Sequence, residues 1–235
     1  MDWEQSGSGY SLDHGQSKPE LMKCPRCVQR IHRMARQCPH CGFAIGDVDQ
    51  VFGGEDVRLG TLTDAAGVLR KSERVSVRRM LRRFQSRFPQ LFFAIYFGTF
   101  KELPSLRQFG FWLLNRGAFD DVDVSRPNEG GILLCVDAGG KSAGITFGYG
   151  LHPFLDEEST FRALSAAHPY LLQGQWAKAS EVVVRKISKT LIRQSRRAHR
   201  HPEDFESIDR EVEGTSEILG RLRANHRSSQ KKTQI

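Results

Sequence analysis

The chain has 235 residues, a formal net charge of +8 and 39% apolar residues, enough for one ordinary domain plus a small appendage. No apolar run approaches the ~18 residues a membrane span requires, which excludes an integral membrane protein of the helical kind. The N-terminus, Met1-Asp2-Trp3-Glu4-Gln5, lacks the positive start and apolar stretch of a signal peptide, and the expected compartment is the cytoplasm.

Residues 1–20 are polar and rich in Ser, Gly and Asp, and are expected to be a disordered leader. Residues 21–46 follow as a small module. They hold Cys24-Pro-Arg-Cys27 and Cys38-Pro-His-Cys41-Gly42, two Cys-x-x-Cys pairs with ten residues between them. Each pair makes a tight knuckle aiming two thiolates at one ion, and the intervening loop brings the second knuckle round to complete a tetrahedron. Pro25 and Pro39 preset the turns, and Gly42 permits a backbone conformation few other residues tolerate. Four thiolates fill the coordination sphere of Zn²⁺, so the expected zinc ribbon is structural and performs no reaction. Unoxidised thiolates fit a reducing compartment. His32 and His40 lie within the module but are not needed as ligands.

Residues 47–56, with Gly53-Gly54, read as a linker, and a compact domain is expected over 57–198. Val77, Leu81, Phe84 and Phe88 mark the apolar face of a basic helix, which Pro89 stops. Leu91 to Phe97 is a continuous apolar run suited to a strand covered on both faces. Leu103 to Arg116 reads as a helix with Pro104 in its first turn. An acidic loop follows, with Asp120, Asp121 and Asp123. Gly131 to Val136 and Ala143 to Phe147 read as two strands joined by a turn at Asp137 to Lys141, a hairpin. Cys135 lies in the first of these strands as a buried small hydrophobe. Helices are expected over about 156–171 and 175–197, the second from Ala179, Val183, Ile187 and Leu191. Helices alternating with buried strands predict an α/β class fold, a helix–sheet–helix sandwich. Residues 199–235 form a charged tail, in which Phe205, Ile208 and Val212 fit one more helix.

Charge is unevenly spread. Residues 18–46 carry six basic side chains against Glu20, residues 70–88 carry eight against Glu73, and Arg193, Arg196, Arg197 and Arg200 form a third cluster. Such faces suit nucleic acid, an anionic membrane surface or an acidic protein, or are simply solvated. Few aromatic residues sit among the charges to stack on bases, so nucleic acid is not the favoured partner at this level.

Leu62-Thr63-Asp64-Ala65-Ala66-Gly67-Val68-Leu69, Gly131-Ile-Leu-Leu-Cys-Val136 and Phe147-Gly148-Tyr149-Gly150-Leu151 with Leu155 resemble the TPM domain, the family of the plant thylakoid lumen protein, the photosystem repair protein and the nematode receptor modulator. The resemblance spans about 57–195. It implies an α/β/α sandwich, an acidic surface site for a divalent cation and, in some members, acid phosphatase activity. Carboxylates at strand ends could hold Mg²⁺ or Ca²⁺, and such an ion could polarise a phosphoryl oxygen and activate water. The matching candidates here are Asp64, Asp120, Asp121, Asp123, Glu129 and Asp137. Asp64, Asp120 and Asp121 are the catalytic candidates, and Gly148, Tyr149, Gly150 and His152 form the ligand-binding loop. The chain departs from the family pattern in Glu129-Gly130-Gly131, where Asp-Asn-Gly is common, and in His152-Pro153 and Glu157, where acidic residues are usual. Fewer carboxylates mean a weaker site for a hard cation. Three functions follow as expectations. The first is an intracellular interaction or accessory module, with the ribbon as an adaptor arm for a protein partner. The second is a metal-dependent phosphatase, and the third a nucleic-acid-binding protein.

Overall fold

A computed structural model describes residues 21–32, 35–100, 105–123 and 128–205. The expected leader over 1–20 and most of the expected tail helix lie outside them.

The N-terminal module is a two-stranded antiparallel ribbon, β1 (Leu21–Lys23) and β2 (Arg30–His32), with Met22 opposite Ile31. Helix α1 (Ile45–Phe52) follows, where a linker is expected from residue 47. The physical reason is a short apolar stripe: Val48 is buried, and Phe52, one turn on, packs its ring against Phe109 and Trp112. The Ala44 amide donates to the Asp47 carboxylate, closing the first turn.

β3 (Val57–Leu59) pairs in parallel with β6 (Gly117–Phe119) as a small separate ribbon. The main sheet has four strands in the order β4 (Leu62–Asp64), β5 (Phe92–Gly98), β7 (Gly131–Asp137) and β8 (Ser142–Phe147). The first three are parallel, and β8 returns antiparallel from β7 as the expected hairpin. Between the parallel strands run α2 (Lys71–Arg87) and α3 (Leu106–Arg116), and α4 (Glu157–Leu172) and α5 (Trp176–Arg200) follow β8.

The continuous apolar runs of β5 and β7 serve two cores, one for each face of the sheet, because alternate side chains point to opposite sides. Phe93, Ile95, Phe97, Ile132, Leu134 and Val136 face α2, α4 and α5. Phe92, Ala94, Leu133 and Cys135 face α3. The result is an α/β/α sandwich preceded by the four-cysteine module. Cys135 is 1% exposed, and burial pushes its thiol far up, so it is an inert core residue.

The module does not hang free of the sandwich. Its Ile31 and Phe43, together with Val48 of α1, share one continuous core with Phe109, Trp112 and Leu113 of α3. Phe43 meets Phe111 edge-on at 6.0 Å. The Trp112 indole donates to the Gly53 carbonyl at 2.8 Å, and the Arg116 guanidinium grips the Asp49 carboxylate through two hydrogen bonds of 3.0 and 2.5 Å. Arg116 holds the Asp49 carboxyl below its usual range. The ribbon is docked on the α3 face through α1.

Candidate functional site

The four cysteines converge. The Sγ atoms of Cys24, Cys27, Cys38 and Cys41 all lie within 4.8 Å of one another, and Cys24–Cys41 and Cys27–Cys38 are each 3.7 Å apart. Four thiolates at ~2.3 Å from a central tetrahedral ion sit roughly 3.8 Å from each other, so the set fits such an ion without rearrangement. The two knuckles repeat one backbone pattern: the Val28 amide donates to the Cys24 carbonyl, and the Gly42 amide to the Cys38 carbonyl. Burial works against a Cys38 thiolate. The His40 and Cys41 amides, with the Cys24 and Cys41 thiols, nevertheless hold its pKa down to about 6.

The residue after each knuckle adopts a left-handed backbone, Gly42 at φ 72° and Val28 at φ 64°. Glycine does so freely, whereas a β-branched residue pays in strain. Relief of this strain at Val28, which is 41% exposed and gives up little packing, predicts that Val28→Gly stabilises the module by about 1 kcal/mol. The midpoint of metal loss in a chelator titration checks this: it should move to higher chelator concentration in the variant.

The carboxylate candidates do not converge. Among the described residues, the four cysteines are the one group of three or more Cys, His, Asp or Glu ligand atoms close enough to share an ion. Asp64 and Asp137 end β4 and β7, separated by β5 with Phe97 and Gly98 in register, two inter-strand spacings or about 10 Å. Asp120, Asp121 and Asp123 follow β6, and Glu129 precedes β7, at the opposite end of the sheet.

Several of these groups already have work. The Asp64 side chain, 6% exposed, accepts from the Val68 and Leu69 amides at 3.0 Å each and pairs with Arg74 at 2.9 Å. It closes the turn that leads into α2. Asp121 accepts from the Thr61 amide and hydroxyl at 2.7 and 2.5 Å, tying the β6 loop to the start of β4. Asp137 accepts from Gly139 in the hairpin turn. Truncation of Asp64 to Ala leaves two backbone donors without an acceptor, at a cost of about 3 kcal/mol, with little added by the partly solvated Arg74 pair. Urea unfolding of Asp64→Ala measures it.

The ligand-loop candidates sit elsewhere, beside the cysteine module. Tyr149 to Leu151 form a short 3₁₀ turn after β8. Tyr149 stacks on His152 at 5.8 Å, and His152 also meets Phe147 at 5.3 Å. Burial pushes the Tyr149 hydroxyl up to about 12. Desolvation lowers the His152 pKa, so the ring is neutral at pH 7. These residues line a cleft of about 810 Å³ whose other walls come from the ribbon (Lys23, Arg30), α3 (Arg107, Phe111) and the start of α4 (Glu157). Lys23 and Arg107 both pair with Glu157, which keeps its carboxyl below the usual range. The joint between ribbon, α3 and α4 rests on residues 50 to 134 positions apart, and no local pattern signals it.

The TPM domain model matches residues 62–190. The solution structure of the N-terminal domain of a Corynebacterium glutamicum protein is similar over 56% of this chain and 79% of that one, at 14% identity and a TM-score of 0.43. The corresponding domain of a P. gingivalis protein is similar over 63% of this chain and 91% of that one, at 19% identity and a TM-score of 0.44. No curated protein sequence matches the chain significantly. Among the described residues, no helix is long and apolar enough to cross a membrane. The family match runs from β4 into α5 and includes the Gly-Tyr-Gly-Leu loop, more than half of the sequence, and the chain belongs to the TPM domain family.

Proposed function

We propose that this TPM protein is an interaction or accessory module of the cytoplasm, in which a structural Zn²⁺ fixes the ribbon on the sandwich and a protein partner docks in the cleft between them. The observation that carries this reading is the cleft that the ribbon (Lys23, Pro25, Arg30) and the family loop (Tyr149, His152) line together, with aromatic and charged sides. Zn²⁺ suits four thiolates in a tetrahedron, and a filled sulfur sphere leaves no position for water or substrate. The ion supplies cohesion there, and the protein's own residues supply recognition: Phe111, Phe147, Tyr149 and His152 offer flat apolar contact, and Lys23, Arg30 and Arg107 offer charge.

The alternative, a phosphatase using Mg²⁺ or Ca²⁺ on Asp64, Asp120, Asp123, Glu129 and Asp137, has less support. Its carboxylates stand at two ends of the sheet, and Asp64 is engaged by Arg74 and two amides. Photo-crosslinkers placed at the cleft in the native host test the proposal. A protein captured by the wild type and lost on both Phe111→Ala and His152→Ala, with melting temperatures unchanged, is the expected result. Capture indifferent to both substitutions contradicts it. Hydrolysis of p-nitrophenyl phosphate that needs a divalent ion and disappears on Asp120→Ala would favour the enzyme instead.

A further inference from the structure

α2 and α5 pack on the same face of the sheet and against one another, and each turns a stripe of cations to solvent. On α2, Val77, Leu81 and Phe84 point inward, while Arg78, Arg79, Arg82, Arg83 and Arg87 are exposed. On α5, Val183, Ile187 and Leu191 point inward, while Arg185, Lys189, Arg193, Arg196 and Arg200 follow one another outside at three- and four-residue spacing, with Lys186 beside them. No acidic residue lies between Glu73 and the end of α2, nor between Glu181 and the end of α5. Glu73 accepts from the Arg70 amide, Glu181 pairs with Lys178, and both line the groove between the helices, so the carboxylates are confined to the N-terminal turns of the two stripes. A groove of about 820 Å³ between α2 and the first turn of α5 carries Arg79 and Arg83 on its wall.

Solvated helix faces ordinarily intersperse both signs, since like charges one turn apart repel. Two adjacent helices that omit carboxylates on the same side therefore accept a repulsion that a polyanion would relieve. We infer that this two-helix face docks the phosphate backbone of a nucleic-acid duplex. The choice among polyanions follows from the residues. Most of the cations are arginines, whose planar fork matches phosphate. The stripe from Arg185 to Arg200 runs about 22 Å, the axial length over which one strand of a duplex presents about six phosphates. The face has no exposed aromatic ring, which single-strand binding by stacking would require but backbone docking on a duplex does not. Its one large exposed apolar side chain among the described residues is Val75 on α2, too little for the wedge of a membrane-inserting helix. The surface is separate from the ribbon and from the cleft, so it stands or falls independently of the partner proposed there.

Fluorescence anisotropy of the full chain with a 20-base-pair DNA duplex of mixed sequence tests the inference. Binding should be sequence-tolerant and should weaken about a thousandfold between 50 and 200 mM salt, the slope expected for about six phosphate contacts. The double reversals Arg82→Glu with Arg83→Glu and Arg193→Glu with Arg196→Glu, at exposed positions, should each reduce affinity at least tenfold while leaving the melting temperature within a few degrees. Reversal of Arg30 and Arg36 on the ribbon should change it little. The sequence after α5 holds Glu203, Asp204, Glu206, Asp209, Glu211, Glu213 and Glu217, so the amide variant of these seven is measured alongside as a control for competition from within the chain. No duplex binding at 50 mM salt by either form overturns the inference. So does binding that survives both helix reversals but not the ribbon reversal, or stronger binding to phosphatidylserine vesicles than to the duplex.

Discussion

Gly148→Ala is expected to lower the stability of the domain by about 3 kcal/mol, near the upper end of what forced overpacking costs. The reason is proximity and not backbone freedom. Gly148 has an ordinary φ of −69°, which any residue adopts. A Cβ added there would lie 2.3 Å from the Glu129 carbonyl oxygen, 2.4 Å from its carbon and 2.5 Å from the Asn128 carbonyl oxygen. All three are backbone atoms, so no rotamer change relieves the clash. The Gly148 amide meanwhile donates to Gly131, which fixes the loop against the start of β7. The 3₁₀ turn at Asn128 to Gly130 and the one at Tyr149 to Leu151 must separate, and the loop that walls the cleft moves with them. At Gly150 the same added carbon would stand 3.2 Å from the Glu129 oxygen, a contact a small shift absorbs. Gly150→Ala should cost no more than about 1 kcal/mol by comparison. Thermal melts of the two variants separate close approach from turn chemistry: a fall of roughly 6–12 °C for Gly148→Ala is expected against a few degrees for Gly150→Ala.

Cys38→Ser is the second large effect. It removes one thiolate from a site where a bound ion would hold two knuckles joined by only a three-residue ribbon on each strand. Binding of a structural zinc ion by such a module is worth on the order of 10 kcal/mol of folding free energy, so the module unfolds when the ion leaves. Because Ile31, Phe43 and Val48 share a core with α3, the consequence reaches the sandwich. Loss of the module bares Phe109, Phe111 and Trp112. Hydrogen exchange should accelerate in β1, β2, α1 and α3 of Cys38→Ser, with β5, β7, α2 and α5 still protected. Soluble chain with this exposed aromatic face should also associate more readily with itself.

The sequence spoke most clearly where spacing is local. Two Cys-x-x-Cys pairs announce one metal centre because the chemistry needs four sulfurs and the chain supplies them in two tight turns. The runs from Leu91 to Phe97 and Gly131 to Val136 declare buried strands because both of their faces are covered. What local pattern does not signal is of two kinds. The helix at Ile45–Phe52 is only two turns long, and the Gly53-Gly54 pair after it draws attention to a break. Its apolar positions acquire meaning only against α3. The parallel pair β3 and β6 lies 60 residues apart in the chain, beyond the reach of any window of pattern. The acidic candidates show a different limit. Asp64, Asp121 and Asp137 were legible as carboxylates near strand ends, but residue type does not report what a carboxylate already holds. Each accepts hydrogen bonds from nearby backbone or side-chain donors that stabilise turns. Similarly, Lys23, Arg107 and Glu157 read as unrelated surface charges until the fold brings them to one joint.

Metal content of the purified full chain, by inductively coupled plasma mass spectrometry, tests the central claim most directly. One zinc ion per chain is predicted, retained through dialysis against a mild chelator, lost in Cys38→Ser, and accompanied by four thiols unreactive until the ion is stripped. A metal-free chain whose Cys24 to Cys41 sulfurs react at once as free thiols or prove paired as disulfides, or a chain loaded with iron in place of zinc, would contradict it.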